Sequence, residues 1–258
     1  MEQKFFFFDI DNTLAVWPEG KIPNSAQYCI DELQRRGHLV SIATGRIQVD
    51  AMRFAEQARI TNVVADGGHS ITIDGKLVSM IGMNRDMCIQ YLEYLESKHI
   101  PWAVTDRNKL GRITPYKEIL EWHPDWDVFK TVVDPDFDFH SVEDFYKIYV
   151  FFKDGEEEEK DIEHMTHKLI RYGEGCVLYE PMEKALGVRN MIEHFHMKPN
   201  QVVVFGDGYN DLSMFRPEWL NIAMGNARPE LKLEADYVTT DCDKDGIYNA
   251  CKHFGWID

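Results

Sequence analysis

FFFFDIDNTL at residues 5–14 joins a short apolar run to an acidic loop. Four consecutive phenylalanines are typical of a strand that is buried on both faces of a parallel sheet. The run ends at Asp9, and Asp11 follows two residues later, so both carboxyl groups come directly after the predicted strand. The stretch therefore predicts a buried strand whose carboxyl end carries acidic side chains.

Short apolar strands alternate with amphipathic helices at both ends of the chain. The further predicted strands are HLVSIAT (38–44), NVVA (62–65), QVVVF (201–205), LNIAM (220–224) and DYVT (236–239). This alternation is typical of a parallel sheet with helices on both faces. We therefore predict an α/β fold with a Rossmann-like, doubly wound, mostly parallel sheet.

The middle third of the chain interrupts this pattern. Residues 106–145 are irregular and rich in Trp, Pro and Asp, and FYKIYVFF (145–152) alternates as a strand does. The acidic run at 156–159 predicts the first turn of a helix that extends to Tyr172. We predict an inserted α+β domain at 83–183, within a discontinuous core formed by 1–82 and 184–258.

Three tryptophans fall in this inserted segment, at Trp102, Trp122 and Trp126. They either belong to its hydrophobic core or line a pocket for the apolar face of a sugar. The sequence favours the core and leaves the second interpretation open.

The charge balance excludes some classes of partner. The 258 residues include 28 Lys and Arg against 44 Asp and Glu, which gives a formal charge of −16. Such a chain lacks the basic surface that binds nucleic acid or an anionic membrane. It also contains no apolar run near the roughly 20 residues needed to cross a bilayer. We expect neither nucleic acid nor a membrane as a partner.

The cysteines and the first residues point to the cytoplasm. Five cysteines are widely scattered without a C-x-x-C pair, which argues against a disulfide framework or a zinc site. The four phenylalanines near the start are too short a run for the apolar segment of a signal peptide. We therefore expect a cytoplasmic protein with reduced cysteines.

Polar side chains follow three of the predicted parallel strands, where ligands bind in doubly wound sheets. The groups that meet at this edge are Asp9, Asp11, Thr13, Thr44, Arg46, Asp207, Asn210 and Asp211. Four carboxylates cannot share a small site as bare anions, so a hard cation such as Mg²⁺ is implied. The sequence thus predicts a magnesium site that also takes an anionic ligand.

Four of these stretches together resemble the motifs of the haloacid dehalogenase superfamily of aspartate-nucleophile phosphatases. They are FFFFDIDNTL, SIATGR (41–46), the lysine that opens a helix in EKALGVRNMIEHF (183–195), and GDGYND (206–211). Three further stretches resemble the Cof-type subgroup, whose inserted domain is a C2-type cap: VVADGGHSITIDGKLV (63–78), IAMGNARPELKLEADYVT (222–239) and DKDGIYNACKHFG (243–255). In that family the cap closes over the active site and selects the substrate.

The resemblance implies a role for each motif residue. Asp9 is the expected nucleophile, which forms an aspartyl-phosphate, and Asp11 is the expected acid and base. Thr13 would orient that acid or its loop. Lys184 would neutralise charge on the nucleophile and on the phosphate.

Further residues would bind the phosphoryl group and the metal. Thr44 and the Gly45 N–H would hold phosphoryl oxygens, and Asn210 would add a hydrogen bond. Arg46 either touches phosphate or pairs with an acid of the loops. Mg²⁺ would be held by the Asp9 carboxylate, the backbone carbonyl of Asp11, Asp207 and Asp211.

The implied activity is Mg²⁺-dependent hydrolysis of a phosphomonoester. The substrate would be a small phosphorylated metabolite, with sugar phosphates the first expectation. Asp11 favours ester chemistry over dehalogenation, because a departing halide needs no proton. Two alternatives stay open: a phosphotransferase or phosphosugar mutase on the same core, and a binding module without catalysis. The presence of both Asp9 and Asp11 argues against the binding module.

Overall fold

The computed structural model describes residues 2–126, 128–153, 156, 161–162 and 169–258. Two compact units form within the chain. The first consists of Met1–Met80 and Met182–Asp258, and the second is Ile81–Pro181. The inserted second unit therefore interrupts the first once.

The first unit contains an eight-stranded sheet. In chain order its strands are β1 (Phe5–Phe8), β2 (Leu39–Ala43), β3 (Asn62–Ala65), β4 (Ser70–Ile73), β5 (Lys76–Met80), β12 (Val202–Gly206), β13 (Leu220–Ala223) and β14 (Tyr237–Val238). They are arranged in the order β14-β13-β12-β1-β2-β3-β4-β5. All neighbours from β14 to β3 are parallel, and β4 and β5 add an antiparallel hairpin. The predicted α/β fold with a mostly parallel sheet is confirmed.

Helices lie between these parallel strands and after the last of them. They are α1 (Asn24–Arg35), α2 (Gln48–Ala58), α5 (Lys184–His194), α6 (Pro229–Leu233) and α7 (Gly246–His253). Strand β1 lies centrally, with β12 on one side and β2 on the other. All four phenylalanines of β1 are fully buried, because the sheet is covered on both faces. The loops that follow β12, β1 and β2 consequently emerge side by side.

The second unit has its own six-stranded sheet. Its strands are β6 (Trp102–Thr105), β7 (Gly111–Thr114), β8 (Lys130–Val133), β9 (Lys147–Phe151), β10 (Leu169–Gly173) and β11 (Cys176–Tyr179), in the order β10-β11-β9-β6-β7-β8. Among the described residues of this unit, the α-helices are α3 (Arg85–Ser97) and α4 (Ile119–Trp122). The strands pair antiparallel except β7 with β8, so this unit is of the α+β type.

The helix predicted to extend to Tyr172 is wrong at its end. Leu169–Gly173 is strand β10, which pairs antiparallel with β11 across a tight turn at Gly175. Pairing within the sheet here overrides the local preference for a helix. Residues 157–160 and 163–168 of the predicted helix lie outside the described residues.

The three tryptophans of this unit differ in environment. Trp102 is buried in the core of the unit, as the sequence favours. Trp126 is 44% exposed and stacks on Phe129, and Trp122 lies under the ammonium of Lys153. In the described part of the chain, no helix is both long enough and apolar enough to cross a membrane.

Candidate active site

The carboxyl end of β1 places Asp9 inside the protein. The Asp9 backbone N–H donates to the carbonyl oxygen of Phe205 in β12 at 3.1 Å. This hydrogen bond joins the carboxyl ends of the two neighbouring strands. The Asp9 side chain is buried with the residue only 5% exposed. A carboxylate in this position needs a charged partner, because burial alone disfavours its ionised form.

Lys184 supplies that partner. It is the first residue of α5 and is completely buried. Its ammonium donates to Asp9 Oδ1 at 2.7 Å and to Asp211 Oδ1 at 2.6 Å. Burial lowers the pKa of Lys184, but the two adjacent carboxylates raise it more, so the pKa lies above its ordinary value. Lys184 is therefore a buried ammonium ion shared by two aspartates.

Asp211 holds the loop after β12 in shape. Its Oδ2 accepts hydrogen bonds from the backbone N–H groups of Asp207 and Gly208, both at 2.9 Å. Gly206 packs directly against this carboxylate, since a Cβ there would lie 2.7 Å from Asp211 Cγ. Asp211 thus uses one oxygen for Lys184 and the other for the loop.

Thr13 connects the loop after β1 to the loop after β12. Its hydroxyl donates to Asp207 Oδ1 at 3.0 Å, and Thr13 is fully buried. The contact fixes the Asp207 carboxylate relative to β1 and explains why a hydroxyl stands four residues after Asp9. The orientation of Asp11 that the sequence also suggested for Thr13 stays a prediction.

Asp9, Asp207 and Asp211 form a compact set of oxygen donors. One carboxylate oxygen of each lies within 4.8 Å of the others. Burial, with Asp211 as the next cause, raises the pKa of Asp207 to about 7. Burial also raises the pKa of Asp9 well above its ordinary value, although Lys184 opposes the change.

This donor set fits a hard divalent cation. When all groups are ionised, three carboxylates and the Lys184 ammonium leave a net charge of −2 in a buried site. Burial is the largest cause of the raised pKa values of Asp9 and Asp207, and the neighbouring carboxylates raise both values further. Carboxylate oxygens are the ligands that Mg²⁺ prefers, so the residues present suit that ion.

Asp11 lies apart from this set. Its carboxylate accepts from Arg46 Nε at 2.9 Å and from Arg46 Nη2 at 2.7 Å. The Asp11 side chain is 37% exposed, far more than that of Asp9. The Asp11 carboxylate thus faces an arginine rather than the carboxylates of Asp9, Asp207 and Asp211. A metal contact through the Asp11 backbone carbonyl stays a prediction.

Arg46 therefore adopts the second of its two predicted interactions, pairing with an acid of the loops. It bonds Asp11 and also donates from Nη1 to Asp50 Oδ2 at 2.6 Å. Burial lowers the pKa of Arg46, but the Asp11 and Asp50 carboxylates raise it by more, so the pKa lies above its ordinary value and Arg46 remains charged. A direct contact of Arg46 with phosphate stays a prediction.

Thr44, Gly45 and Asn210 line the same edge of the sheet. The Thr44 hydroxyl accepts from the Arg46 backbone N–H at 3.1 Å, in the turn between β2 and α2. Asn210 lies in the short 3-10 helix Tyr209–Ser213, and its side-chain oxygen lies against Gly208. Phosphate binding by these three residues stays a prediction.

The sequence reasoning missed Gly67 and Gly68, which contact Glu183, the residue directly before Lys184. The carbonyl of Gly67 accepts from the Glu183 N–H at 2.7 Å, and a Cβ on Gly68 would lie 2.2 Å from the Glu183 carbonyl oxygen. Gly68 also has φ +109°, which favours glycine. The usable signal was the pair of adjacent glycines that follows β3 after a single residue, Asp66.

Known proteins are similar to this chain over nearly its full length. A family model described as haloacid dehalogenase-like hydrolase matches residues 6–251. The proposed phosphatase YkrA of Bacillus subtilis is 30% identical over 267 residues, which covers 100% of both chains.

Two further proteins are similar. A Streptococcus pyogenes protein named as a proposed bifunctional phosphatase and peptidyl-prolyl cis-trans isomerase is 29% identical over 260 residues. The match covers 99% of this chain but only 54% of that protein. The solved structure of a sugar phosphatase of HAD subclass IIB, BT4131, superposes with a TM-score of 0.80 and 26% identity, and covers 99% of this chain and 100% of that one.

Proposed function

Because this chain belongs to the haloacid dehalogenase-like hydrolases and is a phosphatase of that family, we propose that it hydrolyses a phosphomonoester in a Mg²⁺-dependent reaction through an aspartyl-phosphate. The observation that carries the proposal is the buried Asp9 carboxylate, bonded to Lys184 at the end of β1. Asp11 follows it after a single residue, and both acids lie beside the loop that holds Asp207.

In the first half of the reaction Asp9 acts as nucleophile. One of its oxygens forms a bond to phosphorus while the bond from phosphorus to the ester oxygen breaks. Asp11 gives its proton to the departing oxygen, so that an alcohol leaves rather than an alkoxide. Asp11 is thereby left as a carboxylate.

In the second half a water molecule attacks the phosphorus of the aspartyl-phosphate. Asp11 now accepts a proton from that water, and the bond from phosphorus to the Asp9 oxygen breaks. Phosphate leaves, while Asp9 returns as a carboxylate and Asp11 as an acid. The cycle thus consumes one water and leaves both aspartates unchanged.

Lys184 supports both halves through its charge. Its ammonium lies 2.7 Å from Asp9 and screens this carboxylate from the approaching anionic phosphate. Its second bond, to the fully buried Asp211, holds the ammonium in place. We propose that Thr44, the Gly45 N–H and Asn210 donate to the phosphoryl oxygens in the same site.

The metal would be held by Asp9, Asp207, Asp211 and the Asp11 carbonyl. When bound, Mg²⁺ supplies positive charge for the phosphoryl oxygens and compensates the excess of carboxylates. Thr13 contributes by fixing the Asp207 oxygen through its hydroxyl.

We propose a small phosphorylated metabolite as substrate, with sugar phosphates first. The similarity to a structurally characterised sugar phosphatase over 99% of this chain supports this class. We also propose that the second unit, Ile81–Pro181, acts as the cap that sets substrate preference. All five cysteines are buried free thiols, which supports a cytoplasmic location.

The decisive experiment measures hydrolysis of p-nitrophenyl phosphate with Mg²⁺ and with EDTA. Wild type is compared with Asp9→Asn and with Asp31→Asn, a control at a half-buried aspartate of the same unit. We expect Mg²⁺-dependent turnover that Asp9→Asn abolishes and the control retains. Full activity in Asp9→Asn would refute the proposed nucleophile.

A panel of phosphorylated metabolites then identifies the substrate by phosphate release. The phosphotransferase alternative predicts that, with an added sugar acceptor, phosphate is transferred to the sugar rather than released. Product analysis by ³¹P NMR separates the two reactions, because both begin with the same attack by Asp9.

A further inference from the structure

Asp50 is a buried acid that belongs to none of the recognised motifs. It lies in the first turn of α2 and is only 8% exposed. Its Oδ2 accepts from Arg46 Nη1 at 2.6 Å, and its Oδ1 accepts from Arg53 Nη1 at 3.2 Å. A carboxylate buried to this degree and bonded through both oxygens has one defined orientation.

Arg46 links Asp50 to Asp11. Its Nε and Nη2 bond the two oxygens of Asp11, at 2.9 and 2.7 Å, while its Nη1 bonds Asp50. All three guanidinium nitrogens therefore contact carboxylates. The planar group matches Asp11 in the two-bond geometry that fixes the plane of a carboxylate as well as its distance.

Aromatic rings restrict the same guanidinium further. It lies 4.6 Å from the ring centre of Phe54 and 5.8 Å from that of Trp17. Phe54 belongs to α2, like Asp50, whereas Trp17 belongs to the loop that follows Asp11. Residues of α2 thus hold the Arg46 guanidinium in place, and this guanidinium in turn holds Asp11 in the loop after β1.

We propose, on the basis of the proposed function, that Asp50 is a positioning residue that sets the orientation of the Asp11 carboxyl through Arg46. Asp11 must place one oxygen at the ester oxygen in the first half of the reaction and at the water in the second. A misplacement of about 1 Å lowers a rate on the order of a hundredfold. Without Asp50, the long Arg46 side chain loses its bond to the helix, and Asp11 loses a fixed partner.

The proposal predicts a dependence on the leaving group. An alkyl phosphate needs the proton of Asp11 when its ester bond breaks, whereas p-nitrophenolate leaves as a stable anion. The parameter kcat/KM covers the steps up to the loss of this group. A defect in Asp11 orientation therefore lowers kcat/KM for the alkyl ester and changes it little for the aryl ester.

The test compares wild type with Asp50→Asn on p-nitrophenyl phosphate and on an alkyl phosphate from the metabolite panel. We expect kcat/KM to fall about tenfold or more on the alkyl ester alone. Asp50→Glu, which keeps the carboxylate, is expected to recover part of this loss. Glu56→Gln removes the same charge from an exposed position of α2 and is expected to match wild type on both esters.

Different failures give different results. An equal fall on both esters, or no fall, would overturn the positioning role of Asp50. A wild type that hydrolyses no ester would instead refute the proposed function. If Asp50→Asn does not fold, Arg46→Lys provides the second test: it keeps the charge but loses the fork, and should show the same selectivity. An equal rise in KM for both esters in Arg46→Lys would assign Arg46 to phosphate binding and overturn the proposal.

Discussion

Replacement of Lys184 by methionine tests the electrostatic design of the site. Methionine has a similar length and fills the same space, so the change removes mainly the charge. It leaves Asp9 and Asp211 buried without the ammonium that bonds both at 2.7 and 2.6 Å. Removal of one partner from a buried ion pair destabilises a protein by about 3 to 5 kcal/mol. We expect a loss of this size in the free energy of unfolding without metal.

The sign of the pH dependence follows from Asp9. Its pKa is already raised by burial, so the folded protein binds a proton more tightly than the unfolded chain does. Stability therefore falls as the pH rises from the ordinary pKa of aspartate towards the raised value. Lys184 opposes this effect, and the loss of stability in Lys184→Met should accordingly grow between about pH 5 and about pH 8.

Urea unfolding of both proteins in EDTA at these two pH values measures the difference. Lys244→Met is the control, because Lys244 also pairs with an aspartate but is exposed. Its loss is expected to be much smaller and to depend little on pH. The reasoning is refuted if Lys184→Met unfolds within about 1 kcal/mol of wild type at the higher pH.

Three further predictions concern the metal site and the support of Lys184. Because burial raises the pKa of Asp207 to about 7, Mg²⁺ should raise the melting temperature more at about pH 8 than at about pH 5; equal shifts would contradict this. Thr13→Val removes the hydrogen bond to Asp207 and should weaken Mg²⁺ binding about tenfold in a thermal-shift titration, whereas Thr13→Ser should restore it; equal affinities would show that the bond is dispensable. Gly68→Ala would place a Cβ 2.2 Å from the Glu183 carbonyl oxygen and should lower both melting temperature and activity. Gly37→Ala, also at positive φ but with no atom within 4 Å, should lose stability only, and a similar loss of activity in both would argue against a special role for Gly68.

The central strands could be predicted because their local sequence alone indicates that they are buried. Phe5–Phe8 has no polar residue, and such a short run is typical of a strand covered on both faces. Asp9 and Asp207 were predicted neighbours because parallel strands end at the same edge. Lys184 was identified through the family resemblance, because it opens a helix as the lysine of the third motif does, and the structure brings its ammonium to Asp9.

Features set by distant contacts could not be predicted in the same way. Leu169–Gly173 forms a strand because β11 pairs with it, although the acidic run before it favours a helix. The two interactions considered for Arg46 differ only in tertiary structure, which brings Asp11 to its guanidinium. Asp50 was overlooked because it belongs to no motif, yet its position four residues after Arg46 on a predicted helix was a usable signal.

The net charge of the chain limits which large partners it binds, whereas the charges at the site determine whether a small anion binds there. A formal charge of −16 argues against a polyanion such as nucleic acid, which must contact a broad surface. A small phosphate ester instead meets the charges within about 10 Å, because salt screens the rest. There, Arg46 is already shared by Asp11 and Asp50, and Lys184 by Asp9 and Asp211. Arg46 and Lys184 are thus both engaged by carboxylates. We therefore propose that a bound divalent ion supplies positive charge that allows a dianionic phosphate to enter this site.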